Sequence, residues 1–284
     1  MLAYELLSLD HQVFLNSYLN NYSFRISDFL FSNLFLFRHK HEYKVVRDDI
    51  PYIIGKTYDN KKFAFLLTPP KQISKRILSN ILLTVDFLYP IPTSWKDDLS
   101  EKEFVFEVFD ADSDYLFEKK TLTDYPGRDL SKKRNLVHQF TELYNAEMKV
   151  ITKNDVFEIK KTLDIWQAQI DKSYQSTDYY PCLEALQMQE ILGLYGIFLV
   201  IDGKSAGFIL GEEKNDTFYM HFAKADISYK GIFQFMYQKF SQSLKDNISY
   251  INLEQDLGDL NLRHAKHSYH PDSMEIKYRV HQKN

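Results

Sequence analysis

From about residue 150 onward the chain changes character in an order that few folds accommodate: two long helical segments, three strands in succession, then strand and helix by turns. Helical spacing predicts helices over 155–170 and 182–192. Strands follow at 197–201, 205–211 and 217–222, with Asp202-Gly203 and Asn215-Asp216 as the turns of an antiparallel meander. A helix over 232–244, a strand over 250–253, a helix after Gly258 and a strand over 274–280 complete the run.

The first half is built from shorter pieces. Strand patterns fall at 34–37, 43–47, 52–56 and 63–67, with Asp59-Asn60 as a hairpin turn. Pro69-Pro70 breaks the chain, a helix is predicted over 73–85, a strand over 104–108, and helices over 115–122 and 130–143 on either side of Tyr125-Pro126-Gly127. Helices, a meander and then β-α-β-α-β is the element order of the Gcn5-related N-acetyltransferase fold, and 284 residues suit two copies. The expectation is therefore an α+β chain of tandem acetyltransferase-like domains, with mixed, mostly antiparallel sheets flanked by helices. The division is expected near 145, giving domains 1–145 and 146–284, although no internal sequence repeat marks the duplication.

Composition bounds the function. A 44% hydrophobic content allows a large core, and a formal charge of -4 gives no global attraction to nucleic acid or anionic membrane. The single cysteine, Cys182, excludes internal disulfides and a cysteine-rich zinc site and reads as core. The N-terminus lacks the basic start and cleavage site of a signal peptide, and no apolar run is long enough for a membrane span. A cytoplasmic protein is expected. The 22 Phe and 20 Tyr read as an aromatic core rather than as base-stacking platforms.

The stretch from Tyr250 to Pro271 places charge where its pattern predicts burial. Ile251 and Leu253 alternate with Asn252, Glu254 and Asp256, so an extended strand would hold the two carboxylates about 7 Å apart on one side. Gly258-Asp259 then reads as a turn and N-cap, and Arg263, Lys266 and His270 recur at spacings of three and four on the following helix. Carboxylates from a strand and cations from a capped helix suit acid–base and charge-stabilising roles, and they equally suit an ion-pair staple between the two elements.

Three further motifs have two readings each. The Lys224–Gln234 stretch sits where a helix N-terminus could bind a coenzyme pyrophosphate, but Gly231 is followed at the second small position by Phe233, which argues against coenzyme A. Arg128, Lys132, Lys133 and Arg134, next to Asn135, form either a phosphate-binding run or a solvated helix face. His264, His267 and His270 invite a metal, yet their spacing lacks the H-E-x-x-H arrangement and no thiolate supports them, so no metal is expected.

These stretches together resemble a bacterial family, that of the C-terminal domain of phosphatidylglycerol lysyltransferase. The likeness runs from about Asp110 to Val280 through Asp114–Phe117, Gly127–Phe140, Gly193–Gly196, His221–Gly231 and Asn252–Pro271. The resemblance implies transfer of an aminoacyl group from aminoacyl-tRNA to an acceptor, lysine onto a membrane lipid in the best-known relatives. It also implies that Lys132, Lys133, Arg134, Lys224, Asn252, Glu254, Asp256, Arg263 and Lys266 match the family pattern. The multi-span membrane portion of the lipid-modifying enzymes has no counterpart here.

The resulting expectation is an acyl or aminoacyl transferase with Glu254, Asp256, Arg263 and Lys266 catalytic and gathered in one cleft. Lys132, Lys133, Arg134, Asn135, Lys224, Gly231 and Asn252 would bind substrate or phosphate. Aminoacyl-tRNA is the implied donor, and a small molecule or lipid headgroup the acceptor. Acyl-CoA-dependent N-acetylation and a non-catalytic ligand-binding module are the alternatives.

Overall fold

The structure, a computed structural model, describes residues 3–283. Two sheets organise the chain. The strands up to residue 108 are β1 (Glu5–Leu6), β2 (Lys44–Val46), β3 (Tyr52–Lys56), β4 (Lys62–Leu66), β5 (Phe87–Pro92) and β6 (Phe104–Val108). They are followed by β7 (Asp114–Glu118), β8 (Ala146–Val150), β9 (Tyr195–Ile201), β10 (Lys204–Lys214), β11 (Thr217–Ala225) and β12 (Tyr250–Asn252), then β13 (Ser273–Glu275) and β14 (Lys277–Gln282). The first sheet has the order β1-β2-β3-β4-β5-β14-β6, and the second runs β13-β7-β12-β11-β10-β9-β8.

Both sheets follow one plan. An antiparallel meander ends in a parallel pair, β4 with β5 in the first and β11 with β12 in the second, and a helix makes each crossover: Lys75–Leu82 and Ile232–Ser243. Beyond the parallel pair an antiparallel strand completes the sheet, β14 against β5 and β7 against β12. This is the tandem acetyltransferase-like arrangement, α+β with mixed sheets and flanking helices. Hairpin chemistry enforces the second meander, since Asp202 and Gly203 hold φ of 50° and 75° between β9 and β10 and Asn215 holds 56° between β10 and β11.

The completing strands come from remote parts of the sequence, which moves the division of the chain. One compact unit comprises the residues up to Asp114, Gln255–Arg263 and the segment from Met274; the other comprises Tyr115–Glu254 and His264–Ser273. The boundary therefore lies between Asp114 and Tyr115 instead of near 145. Residues 115–122, expected to be helical, begin as strand β7, because Tyr115, Leu116 and Phe117 are wholly buried beside β12, and only Lys119–Asp124 is helix. Residues 34–37, expected as a strand, are the end of the helix Phe31–Leu36 and its C-cap Phe37; a run buried on every side carries no periodicity to separate the two.

In the first unit the diverging ends of β4 and β5 are bridged by aromatic rings. Phe65 on β4 meets Phe29 at 4.6 Å between centroids, and Phe29 meets Trp95, just after β5, at 5.7 Å. Beside this apolar bridge lies a closed polar cluster. The Lys277 ammonium on β14, wholly buried, lies 2.5 Å from an Asp28 oxygen and donates to Asp114 at 2.6 Å and to the Gln255 side chain at 3.1 Å. Burial pushes the Asp28 carboxyl above its ordinary value, and the Lys277 charge opposes that rise. Removing the cation would strand two carboxylates in the core. Lys277→Met should lower the free energy of urea unfolding by about 3–5 kcal/mol, and adding Asp28→Asn and Asp114→Asn should restore most of it. A single-variant loss below about 1 kcal/mol would show that the cluster is not held by the lysine.

Candidate active site

In the second unit the parallel contact between β11 and β12 is short: Thr217, Phe218 and Tyr219 register with Tyr250, Ile251 and Asn252, and beyond them the strands part. β11 continues to Ala225, whereas β12 stops at Asn252. The strand ends because Glu254 adopts φ 58°, a left-handed conformation that costs a residue with a side chain about 1–3 kcal/mol. Local bonds hold it there. The Asn252 side chain accepts the Glu254 N–H at 2.6 Å, and the Glu254 carbonyl accepts the Tyr115 N–H at 3.2 Å and the Lys266 ammonium at 3.1 Å. The expected continuous strand with Glu254 and Asp256 on one side is therefore replaced by a turn, and Asn252, Glu254 and Asp256 are buried with polar partners.

Across the gap between the diverging strands, Glu254 meets His221. The Nδ1 of this wholly buried imidazole lies 2.6 Å from Glu254 Oε1, and its Nε2 lies 3.0 Å from Glu212 Oε1. A ring with a carboxylate at each nitrogen must donate from both, so it is an imidazolium. Burial alone would lower the His221 pKa, but the charges of Glu254 and Glu212 outweigh it and raise it to about 10. One extra residue in β11, opposite Gly211, sets Glu212 beside His221. Leu210 registers with Phe222 but Glu212 with Tyr219, so two residue steps of β10 oppose three of β11 and the irregularity falls at Met220 and His221. Gly211 lies opposite that bulge, where a Cβ would stand 1.9 Å from the Tyr219 carbonyl oxygen.

The residues expected to form one cleft divide between two settings. Asp256 and Arg263 belong to the first unit as a bidentate pair, Nε to Oδ2 at 2.8 Å and Nη2 to Oδ1 at 3.0 Å. The same fully buried carboxylate accepts the Gly258 N–H at 2.8 Å, so the pair secures the turn that starts the helix Leu260–His267. Glu254 and Lys266 belong to the second unit, with the Lys266 ammonium 5.5 Å from the Tyr115 ring centre. His267 packs edge-on against the same ring, while His264 is exposed.

The proposed phosphate ligands are also distributed. Lys224 alternates to the sheet face opposite His221, where its ammonium sits 2.7 Å from both Asp178 carboxylate oxygens and over the Trp166 ring. Arg134 donates to the Tyr125 and Gly127 carbonyls, closing the turn before its own helix, Ser131–Leu143. Lys133 donates to Ser268 at 2.6 Å and lies over Tyr269, and burial depresses its pKa. Lys132 and Asn135 are exposed. Gly231, at φ 89°, precedes the helix Ile232–Ser243, and a Cβ there would lie 2.5 Å from the Leu136 carbonyl oxygen. Its smallness thus serves packing against the helix Ser131–Leu143.

Glu212 is absent from the site residues expected from sequence, and His221 enters there only as the start of the His221–Gly231 stretch. The signal for Glu212 is Gly211 closing the apolar run Phe208–Leu210, since a glycine inside a strand marks an irregular register.

The family described as phosphatidylglycerol lysyltransferase, C-terminal, matches residues 20–281. The chain belongs to that family. A conserved protein of unknown function from Bacteroides thetaiotaomicron has the same fold over 100% of both chains, with a TM-score of 0.85 and 24% identity. The C-terminal domain of a putative lysylphosphatidylglycerol synthetase from Agrobacterium fabrum covers 98% of this chain and 93% of its own, with a TM-score of 0.64 and 14% identity. An uncharacterized protein of Mycoplasmoides gallisepticum is 22% identical over 201 residues, which cover 69% of this chain and 64% of that relative, so the chain spans under two thirds of its length. Family and fold are acyltransferase-like, and no helix among the described residues is long and apolar enough to cross a membrane.

The raised pKa fixes the direction of a stability effect. A pKa elevated in the folded state contributes stability that is fully present below the ordinary value of 6.5 and is lost as pH rises through about 10. The stability difference between wild type and His221→Gln should therefore shrink steadily across that interval in urea unfolding. A difference that stays constant with pH would mean that the ring is neutral.

Proposed function

We propose that this chain transfers an aminoacyl group from aminoacyl-tRNA to an amine or hydroxyl acceptor, with Glu254 as the proton acceptor. The observation that carries this reading is the Glu254 carboxylate held in left-handed backbone at the parting of β11 and β12 by a buried imidazolium. Its side chain is 11% exposed, so it can reach a bound substrate while mostly screened from water. The acceptor nitrogen or oxygen attacks the ester carbonyl of the donor, its proton passes to Glu254, the new amide or ester forms, and the tRNA hydroxyl leaves as it regains a proton. Two carboxylates around one imidazolium leave a negative excess, which favours the cationic amino group of an aminoacyl ester. Lys266, bonded to the Glu254 carbonyl, supplies positive charge beside the reacting centre.

The acceptor, in this reading, is a small molecule or a lipid headgroup, both of which offer such nucleophiles, and a charged-tRNA donor places the reaction in the cytoplasm. The acetyltransferase-like plan of the sheet supports acyl-CoA as a second donor. Against it stands Gly231, whose bare Cα faces the Leu136 carbonyl where a diphosphate would need room.

Incubation with tRNA charged with labelled amino acids and a panel of amine and hydroxyl acceptors should give label in a product separable from tRNA. Glu254→Gln should cut turnover by about 10²–10⁴-fold with little change in tRNA affinity. Label released only as free amino acid, together with micromolar binding of acetyl-CoA, would transfer the site to the second donor class. Of the basic run, Lys132 is the exposed lysine, so Lys132→Ala should lower the slope of log affinity for tRNA against log salt by about one unit. An unchanged slope would remove Lys132 from the donor contact.

A further inference from the structure

Strand β8 ends the second sheet, and its residues from Glu147 to Val150 are exposed although they lie in regular strand. Such an edge offers a row of backbone donors and acceptors to another strand. Which groups point outward follows from the pairing with β9. Ile151 donates its N–H to the Gly196 carbonyl at 3.0 Å, and alternation along an antiparallel pair then turns the N–H and C=O groups of Glu147 and Lys149 toward β9 as well. The backbone groups of Ala146, Met148 and Val150 face the open edge.

The side chains on this edge complement themselves. Glu147 and Lys149 lie on one face of the strand, 3.1 Å apart at their charged ends, and Met148 and Val150, 39% and 69% exposed, lie on the other. We propose that β8 pairs antiparallel with β8 of a second copy of this chain about a twofold axis through Met148, joining two second-unit sheets into one. In that register Met148 meets Met148 of the other copy, Ala146 meets Val150, and each of these outward-facing residues exchanges backbone hydrogen bonds with its opposite. Glu147 then stands against Lys149 of the other copy, twice by symmetry, at the non-hydrogen-bonded positions where side chains approach closest.

Charge complementarity is what selects a second copy as the occupant. An edge protected against pairing carries one sign of charge or a proline, whereas opposite charges two residues apart repel nothing that repeats them in reverse. The outer strand of the first sheet lacks this property: in β6 a twofold through Phe106 would set Glu107 against Val105. Five residues of added strand bury little area, so the association is weak and reversible, in the micromolar range.

Sedimentation equilibrium of the full chain, at concentrations up to roughly 100 µM, reads the monomer–dimer constant. Wild type should dimerise. Glu147→Lys and Lys149→Glu, each placing like charges opposite one another twice, should weaken the dimer by roughly tenfold or more, and the two substitutions together should restore wild-type affinity. Met148→Pro removes an outward N–H that the isolated sheet does not use and should give a folded monomer. A wild type that remains monomeric overturns the proposal. So does a dimer indifferent to the single reversals, or a doubly reversed chain as weak as either single variant.

Discussion

The second unit depends on a buried imidazolium. His221 is held between Glu212 and Glu254 without solvent, and three separate features of the chain serve that contact. A bulge in β11 opposite Gly211 brings His221 and Glu212 together, the strands β11 and β12 part after Tyr219 and Asn252, and Glu254 accepts a left-handed backbone that Asn252 stabilises from two residues away. Without the proton on the ring, two carboxylates would face one another through an uncharged spacer in a low-dielectric interior. Each local departure from regular structure is thus accounted for by one charge.

The same sheet plan ends differently in the two units. Where β4 and β5 diverge, Phe29 joins Phe65 to Trp95 and leaves an apolar bridge, and the polar groups nearby converge on Lys277. Where β11 and β12 diverge, the bridge is ionic and one of its members, Glu254, retains access to solvent. A closed aromatic contact performs no proton transfer, while a carboxylate positioned by a fixed cation can, and this contrast is why the chemistry is assigned to the second unit.

Much of the plan was legible in the sequence because turns and periodic segments are local signals. Asp202-Gly203 and Asn215 mark the second meander, and helical spacing marks Ile232–Ser243. The boundary at Asp114 was not legible, because β7 and β14 complete their sheets from far along the chain, and no local pattern encodes a partner so remote. The candidate site shows the same limit. Glu254 was identified from its conflict with burial, but Asp256, equally conspicuous, proves to secure a turn with Arg263. Only the strand end at Asn252 distinguishes the two carboxylates, and it depends on a backbone angle that a run of alternating residues does not reveal.

The protonation state of His221 tests this account most directly, because the placement of Glu254 rests on it. Nitrogen-15 NMR of selectively labelled histidine, resolved by comparison with His221→Gln, distinguishes a ring protonated at both nitrogens from either neutral tautomer. The account predicts that both nitrogens keep their protons well above the ordinary histidine value of 6.5, with loss only near 10. A singly protonated ring at neutral pH would contradict it.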